Sequence, residues 1–248
     1  MKTQILSRCM TEDGVDAATL VFRTLHVGFP GVPVDYTFAA ATDALADAVV
    51  ARIPPEVTFR RVPKADHPGW IENLVHTEQE PFFICDTDMV FHSAFPVEEV
   101  AQFTLAGEHV PYFTDPYTGC LTASRLHTCL LYFDPVRVRI AISRFMACIR
   151  RTHLAPVANL FQPLVLPTDP FLPARFDDCC SLLHRAIGGD RFSVDALATF
   201  DHLHAGTWVD ELETALPGLK AFHAEVYADP TKARGWREKQ KQFYVEHA

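Results

Sequence analysis

Pro81-Phe82-Phe83-Ile84-Cys85-Asp86-Thr87-Asp88-Met89-Val90-Phe91 is the stretch on which the reading of this chain turns. The apolar run after Pro81, aromatic and branched in character, fits a central strand of an α/β sheet covered on both faces. Two acids, Asp86 and Asp88, then interrupt it. Residues two apart in extended backbone point to the same side, and the carboxyl ends of strands are where open α/β sheets bind ligands. Two carboxylates on one side repel each other unless a cation or proton lies between them, so the simplest occupant is a hard divalent ion. A solvated turn is the ordinary alternative. Buried runs on both flanks make this a costly place for unpaired charge.

Upstream, the pattern alternates. Gln4 to Arg8 reads as a first strand, Asp16 to Val27 as a helix, Val34 to Phe38 as a strand and Asp43 to Ile53 as a helix ended by Pro54-Pro55. A third strand over Val57 to Val62 and a helix from about Pro68 to Thr77 lead into the central run. Strand and helix alternating at this pitch predict a parallel sheet and an α/β fold.

Downstream the rhythm changes. Gln102 to Tyr112 and Arg125 to Phe133 read as longer strands, and a basic helix runs from Val136 to about Arg151. Pro156, Pro163, Pro167, Pro170 and Pro173 forbid a long regular element over Ala155 to Phe176, which reads as an ordered loop or lid. Asp177 and Asp178 are expected to open a helix over Cys179 to Ile187, ended by Gly188-Gly189. Phe200-Asp201-His202-Leu203-His204-Ala205-Gly206-Thr207-Trp208 and a helical tail follow.

The chain has 248 residues, 48% hydrophobic and 21% charged, which supports one large α/β domain with ample core. Its net charge of −9 argues against a broad surface for duplex nucleic acid. The seven cysteines, Cys9, Cys85, Cys120, Cys129, Cys148, Cys179 and Cys180, form no Cys-x-x-Cys pair and read as reduced residues of a cytoplasmic protein. No apolar run reaches membrane-spanning length, and the segment at Met1 is too short for a signal peptide. Self-association is left open.

An α/β half, an apolar strand ending in Asp86-Thr87-Asp88 and a late segment with histidine, glycine and tryptophan together resemble the sugar-nucleotide-dependent glycosyltransferases of the GT-A fold. The resemblance implies a single Rossmann-like domain, with a donor half over residues 1–91, an acceptor half over 92–228 and a helical tail over 229–248. It implies that the Asp-x-Asp motif, Asp86 and Asp88 with Thr87 between them, holds Mn²⁺ or Mg²⁺ on the diphosphate of a nucleotide sugar such as a UDP-sugar. A late histidine serves as a further metal ligand in some members; His204 in His204-Ala205-Gly206 fits that pattern best, with His202 as its competitor. Arg8 and Thr11 fall where ribose or phosphate would lie. Asp178, or Asp177 beside it, takes the place of the general base on the acceptor hydroxyl in inverting members. The acceptor itself, whether glycan, small molecule, protein or modified nucleobase, is not specified. Lys232, Arg234, Arg237, Lys239 and Lys241, beside Trp236 and Phe243, close over the diphosphate, meet an anionic acceptor or form the solvated face of a helix.

The same run also satisfies the Asp-x-Asp pattern of haloacid-dehalogenase-like phosphatases, with Asp86 as nucleophile and Asp88 as acid. That motif belongs on a first strand, and no lysine lies between Lys64 and Lys220, which leaves Arg144 or Arg175 as substitutes. A non-catalytic domain that binds a sugar nucleotide is the third reading.

Overall fold

The fold was analysed in a computed structural model, which describes residues 1–12, 14–111, 113–114, 121–122, 125–152, 159–162, 164–166, 175–177, 180–203 and 218–236. Its centre is an α/β arrangement whose main sheet has seven strands. The first half supplies four of them: β1 (Lys2–Cys9), β2 (Val34–Ala40), β3 (Thr58–Arg61) and β4 (Phe82–Cys85). They lie in the order β3-β2-β1-β4, all parallel, as β-α alternation demands.

The second half extends this sheet. Beyond β4 comes β9 (Arg125–Phe133), antiparallel to it, then β6 (Leu105–Val110) and β12 (Asp190–Arg191). The strand expected over Gln102 to Tyr112 is thus shorter than its sequence suggests. A four-stranded sheet of short segments includes β7 (Phe113–Thr114), β8 (Leu121–Thr122), β10 (Leu164–Leu166) and β11 (Arg175–Asp177). Two further strands, β5 (Met89–Phe91) and β13 (Phe200–His202), pair antiparallel as a ribbon.

Alternation along β4 explains why every residue in it is apolar. Phe83 and Cys85 enter one core, with Phe29, Phe38, Phe95 and Tyr132; Phe82 and Ile84 enter another, with Trp70, Ile71, Leu131 and Phe133. The helices divide accordingly. On the first face lie α1 (Gly14–Thr19), α2 (Leu25–Gly28) and α3 (Asp43–Val50), and on the second α4 (His67–Thr77), α6 (Pro135–Thr152) and α7 (Ser181–Ile187), while α5 (Val97–Val100) follows the ribbon strand. Thr42 caps α3 and Asp66 caps α4, each accepting a backbone N–H of its first turn.

Two expectations are corrected. The helix predicted over Asp16 to Val27 is broken into α1, a 3₁₀ turn (Leu20–Arg23) and α2. Its amphipathic spacing is real, but the Val21 N–H leaves the helical ladder and donates to Thr87 O at 2.8 Å, while Thr24 Oγ1 accepts from Phe91 N at 3.0 Å. Tertiary bonds to the acidic segment therefore override helix continuation. Gly28 permits the accompanying close approach, since a Cβ there would lie 2.4 Å from the Phe91 ring. The second correction concerns Asp177, which ends β11 rather than opening a helix. The helix starts at Ser181 after Cys180, whose φ is 63°, and no side chain caps it.

The chain returns through α8 (Val194–Leu197), β13 and α9 (Leu219–Ala228) to a 3₁₀ turn at Pro230–Ala233. Among the described residues no helix is long and apolar enough to cross a membrane. Cys9, Cys85, Cys129 and Cys180 are buried and Cys148 is exposed, and none of these five is in a disulfide.

Candidate metal centre

Strand β4 delivers Asp86 to the carboxyl end of the parallel strands, one residue after Cys85 pairs with Ile5 of β1. There the backbone is held from several sides. Asp86 N donates to Cys129 O at 2.8 Å, Thr87 O receives Val21 N, and Asp88 O receives Leu203 N at 3.0 Å. With three elements gripping three consecutive residues, the segment between β4 and β5 has a fixed course.

The ribbon supplies the third side chain. In its register Met89 faces His202, Val90 faces Asp201 and Phe91 faces Phe200. His202 Nε2 thereby lies 3.1 Å from Asp88 Oδ1 and 3.8 Å from Asp86 Oδ2. Asp88 and His202 are buried, whereas the Asp86 side chain keeps 28% of its exposure. Burial, the largest influence on His202, disfavours its imidazolium, but the carboxylates of Asp88 and Asp86, with Glu108 beyond, outweigh it and raise His202 above the ordinary histidine value. A metal ion held through Nε2 would have to displace any proton there.

The donor set suits a hard divalent ion. Candidate ligand atoms of Asp86, Asp88 and His202 all fall within 4.8 Å of one another. An octahedral ion with bonds of about 2.1 Å places neighbouring ligands roughly 3.0 Å and opposite ones roughly 4.2 Å apart; the 3.1 Å between His202 and Asp88 fits neighbouring positions, and the 3.8 Å between His202 and Asp86 lies between the two values. Two carboxylates with one imidazole match Mn²⁺ or Mg²⁺, and the partly exposed Asp86 leaves the open side to a ligand's oxygens.

Neighbouring groups lock His202 in place. Asp201 Oδ2 lies 2.7 Å from His92 Nε2 and accepts Gly235 N at 3.2 Å, so one buried carboxylate ties β13 to both the end of β5 and the tail. Trp236 Nε1 donates to Leu203 O at 3.0 Å. From above, α9 packs Val226 against Leu20, Val90 and Leu203. It also carries His223, held below the ordinary histidine value by burial against the opposing pull of Asp88, with Tyr227 Oη 3.4 Å from its Nδ1.

Of the residues singled out in the sequence, the structure brings together Asp86, Asp88 and His202, the competitor of His204. His204 and Asp178 lie outside the described residues, as do Arg237, Lys239, Lys241 and Phe243. Asp177 stands at the end of β11 in the small sheet. Arg8 is exposed near the end of β1, on the same edge of the sheet as Asp86. Thr11 closes the turn into α1: its Oγ1 accepts Gly14 N at 3.2 Å. Lys232 pairs with Glu225, on the solvated side of the tail. Arg144, a substitute considered for the phosphatase lysine, is exposed on α6.

Sequence reasoning missed His127, Cys129, Glu108, Asp201 and His92. A signal for the first two was present, because His127 and Cys129 are two apart within a strand and share a face. In comparisons with known proteins, no family model matches the chain and no curated protein matches it.

Proposed function

We propose that the protein is a metal-dependent glycosyltransferase that moves a sugar from a nucleoside diphosphate to a hydroxyl acceptor. The observation that carries this reading is the convergence of Asp86, Asp88 and His202 at the carboxyl end of β4 in a mostly parallel, Rossmann-like sheet. Function at that edge is what open α/β sheets use it for, and the GT-A resemblance gives the aspartate pair its chemistry.

Asp86, Asp88 and His202 would hold the divalent ion, and the ion would stabilise negative charge on the departing diphosphate as a Lewis acid. The chain's own residues do the rest. The backbone bonds of Asp86, Thr87 and Asp88 keep the carboxylates in place before the donor arrives, which avoids reorganisation during transfer. Arg8 and Thr11 stand on the same edge as candidates to contact the nucleotide. As the anomeric bond to phosphate breaks and the bond to the acceptor oxygen forms, the acceptor proton passes to a general base, the role proposed for Asp178 or Asp177.

Thermal-shift measurements with UDP-, GDP-, CMP- and TDP-linked sugars, each with and without Mn²⁺, test this reading. One nucleotide sugar should stabilise the protein only when Mn²⁺ is present, and Asp88→Ala should weaken that metal-dependent binding by about a hundredfold. Metal-dependent hydrolysis of the same donor should vanish with it. Full hydrolysis in Asp88→Ala would remove the assignment, and a phospho-aspartate trapped at Asp86 would favour the phosphatase reading instead. Binding of the donor with Mn²⁺ but without turnover would make the protein a sugar-nucleotide-binding domain.

A further inference from the structure

We propose that His127, Cys129 and His202 form a second metal site, one that takes a thiophilic ion such as Zn²⁺, and that Zn²⁺ and the hard ion compete through His202, the residue common to both sets. The sulfur-side site stands apart from the transfer reaction, while its competition with the hard ion rests on the aspartate centre proposed above. All three side chains are buried, and candidate ligand atoms from them lie within 4.8 Å of one another. The two imidazole centroids are 5.0 Å apart.

An irregularity in β9 aims the set. Against β6, Leu131 pairs with Gly107 and His127 with Glu108, so Thr128, Cys129 and Leu130 oppose no residue of β6. The bulge shifts the alternation: Cys129 joins the core that holds Tyr132, while Leu126 joins the one that holds Leu131 and Phe133. A regular strand would carry Cys129 to the same face as Leu131 and Phe133, away from Tyr132.

The chemistry separates this set from the aspartate pair. Nitrogen, sulfur and nitrogen suit Zn²⁺, which accepts three protein ligands and keeps a fourth position open, whereas oxygen donors suit Mg²⁺ and Mn²⁺. On capture the Cys129 S–H bond breaks, its proton leaves to solvent and the thiolate binds the ion. Glu108 Oε2, 4.0 Å from Sγ, is an acceptor beside that proton's path. His127 Nδ1 now accepts the Cys129 N–H at 3.1 Å. Ligation through Nδ1 displaces that amide, and ligation through Nε2 moves the ring proton to Nδ1, so capture costs one hydrogen bond. A His202 ring committed to sulfur-side Zn²⁺ is withdrawn from Asp88, which gives Zn²⁺ the character of an inhibitor of the hard-metal centre.

Metal-stripped full-length protein, titrated with Co²⁺ and with Zn²⁺ against a chromophoric chelator, decides the matter. The wild type should show the intense visible bands of four-coordinate Co²⁺ and a near-ultraviolet thiolate-to-cobalt charge-transfer band. Cys129→Ser should lose that band and bind Zn²⁺ roughly ten- to a hundredfold more weakly, while still binding Mn²⁺ by electron paramagnetic resonance. Asp86→Asn should do the reverse. Zn²⁺ should also release bound Mn²⁺ from the wild type at far lower concentration than from Cys129→Ser. Cys129 lies in the core, so His127→Gln, which should lower Zn²⁺ affinity and spare Mn²⁺, serves if the serine variant melts early. Equal Zn²⁺ affinity in wild type and both variants, no charge-transfer band, or simultaneous binding of Mn²⁺ and Zn²⁺ would each overturn the proposal. Failure of the wild type to bind Mn²⁺ at all would sink the aspartate centre alone, and the charge-transfer band would still decide the sulfur site.

Discussion

The N-terminal half and the returning C-terminal segment reach the same centre by different physics. Strands β1 to β4 and their helices are assembled from neighbouring β-α units, and they converge on β4, whose four residues are buried by two cores. Polar bonds in that half mostly finish an apolar frame: Thr42 and Asp66 cap helices, and the buried Tyr36 hydroxyl donates to Ala18 O at 3.0 Å. The return through β13 and the tail is short and fastened by polar bonds: Asp201 to His92 and Gly235, Leu203 N to Asp88 O, Trp236 to Leu203 O. The first region supplies stability and two carboxylates; the second supplies the imidazole that completes the three-residue cluster.

If this division is right, damage to the first region should cost folding and spare metal affinity. Phe83 is fully buried, with ring centroids 5.0 Å from Phe29, 5.4 Å from Phe95 and 5.3 Å from Tyr132. Phe83→Ala should lower the free energy of unfolding by about 3–5 kcal/mol, because the surrounding rings cannot collapse into the space. Denaturant melts measure the loss, and Mn²⁺ titration of the remaining folded protein should give an affinity close to that of the wild type. A variant that loses metal binding while still well folded would break the comparison.

The second region should respond in the opposite sense. Asp201→Ala removes the common acceptor of His92 and the Gly235 amide and should cost about 1–3 kcal/mol of stability. Its larger signature is at the centre, because His202 loses the neighbour that fixes the ribbon. Mn²⁺ affinity should fall by roughly tenfold, as for other residues that orient a ligand. Isothermal titration with Asp201→Ala and Asp201→Asn sharpens the point: asparagine keeps one carbonyl acceptor and should recover part of both effects. An unchanged Mn²⁺ affinity in Asp201→Ala would mean that the tail holds no part of the site.

How far the sequence could be read follows the same division. Strands β1, β2, β4 and β9 and helices α3, α4 and α6 stand close to where periodicity puts them, because each is dictated by its own apolar spacing and by Pro or Thr and Asp at its ends. The aspartate pair was legible because charge inside a buried run has few explanations. The broken helix was not, since Val21 gives its N–H to Thr87, a residue distant in sequence. The place of His202 in the cluster was only half legible. Spacing along the chain cannot distinguish it from His204; the antiparallel register of β13 with β5 brings His202 to Asp88. That His127 and Cys129 share a face was legible from their spacing, but which core they face depends on a bulge, which leaves no mark in hydrophobic periodicity.

The smallest expected effect lies in the first region itself, at its edge. Every residue of β3 is exposed, and Arg61 meets Asp43 at 2.6 Å with side chains 41% and 91% exposed. Both charges stand in water, so their attraction is weak, and holding two long side chains together costs rotamer entropy that offsets most of it. Arg61→Ala should therefore change stability by no more than about 0.5 kcal/mol, with the difference fading as salt is added, and should leave Mn²⁺ affinity untouched. The paired variant Arg61→Ala with Asp43→Ala, compared with each single change in urea melts, isolates the interaction itself. A coupling well above that figure, insensitive to salt, would mean that the sheet draws real stability from its β3 edge, and the claim that the inner strands carry this half would have to be given up.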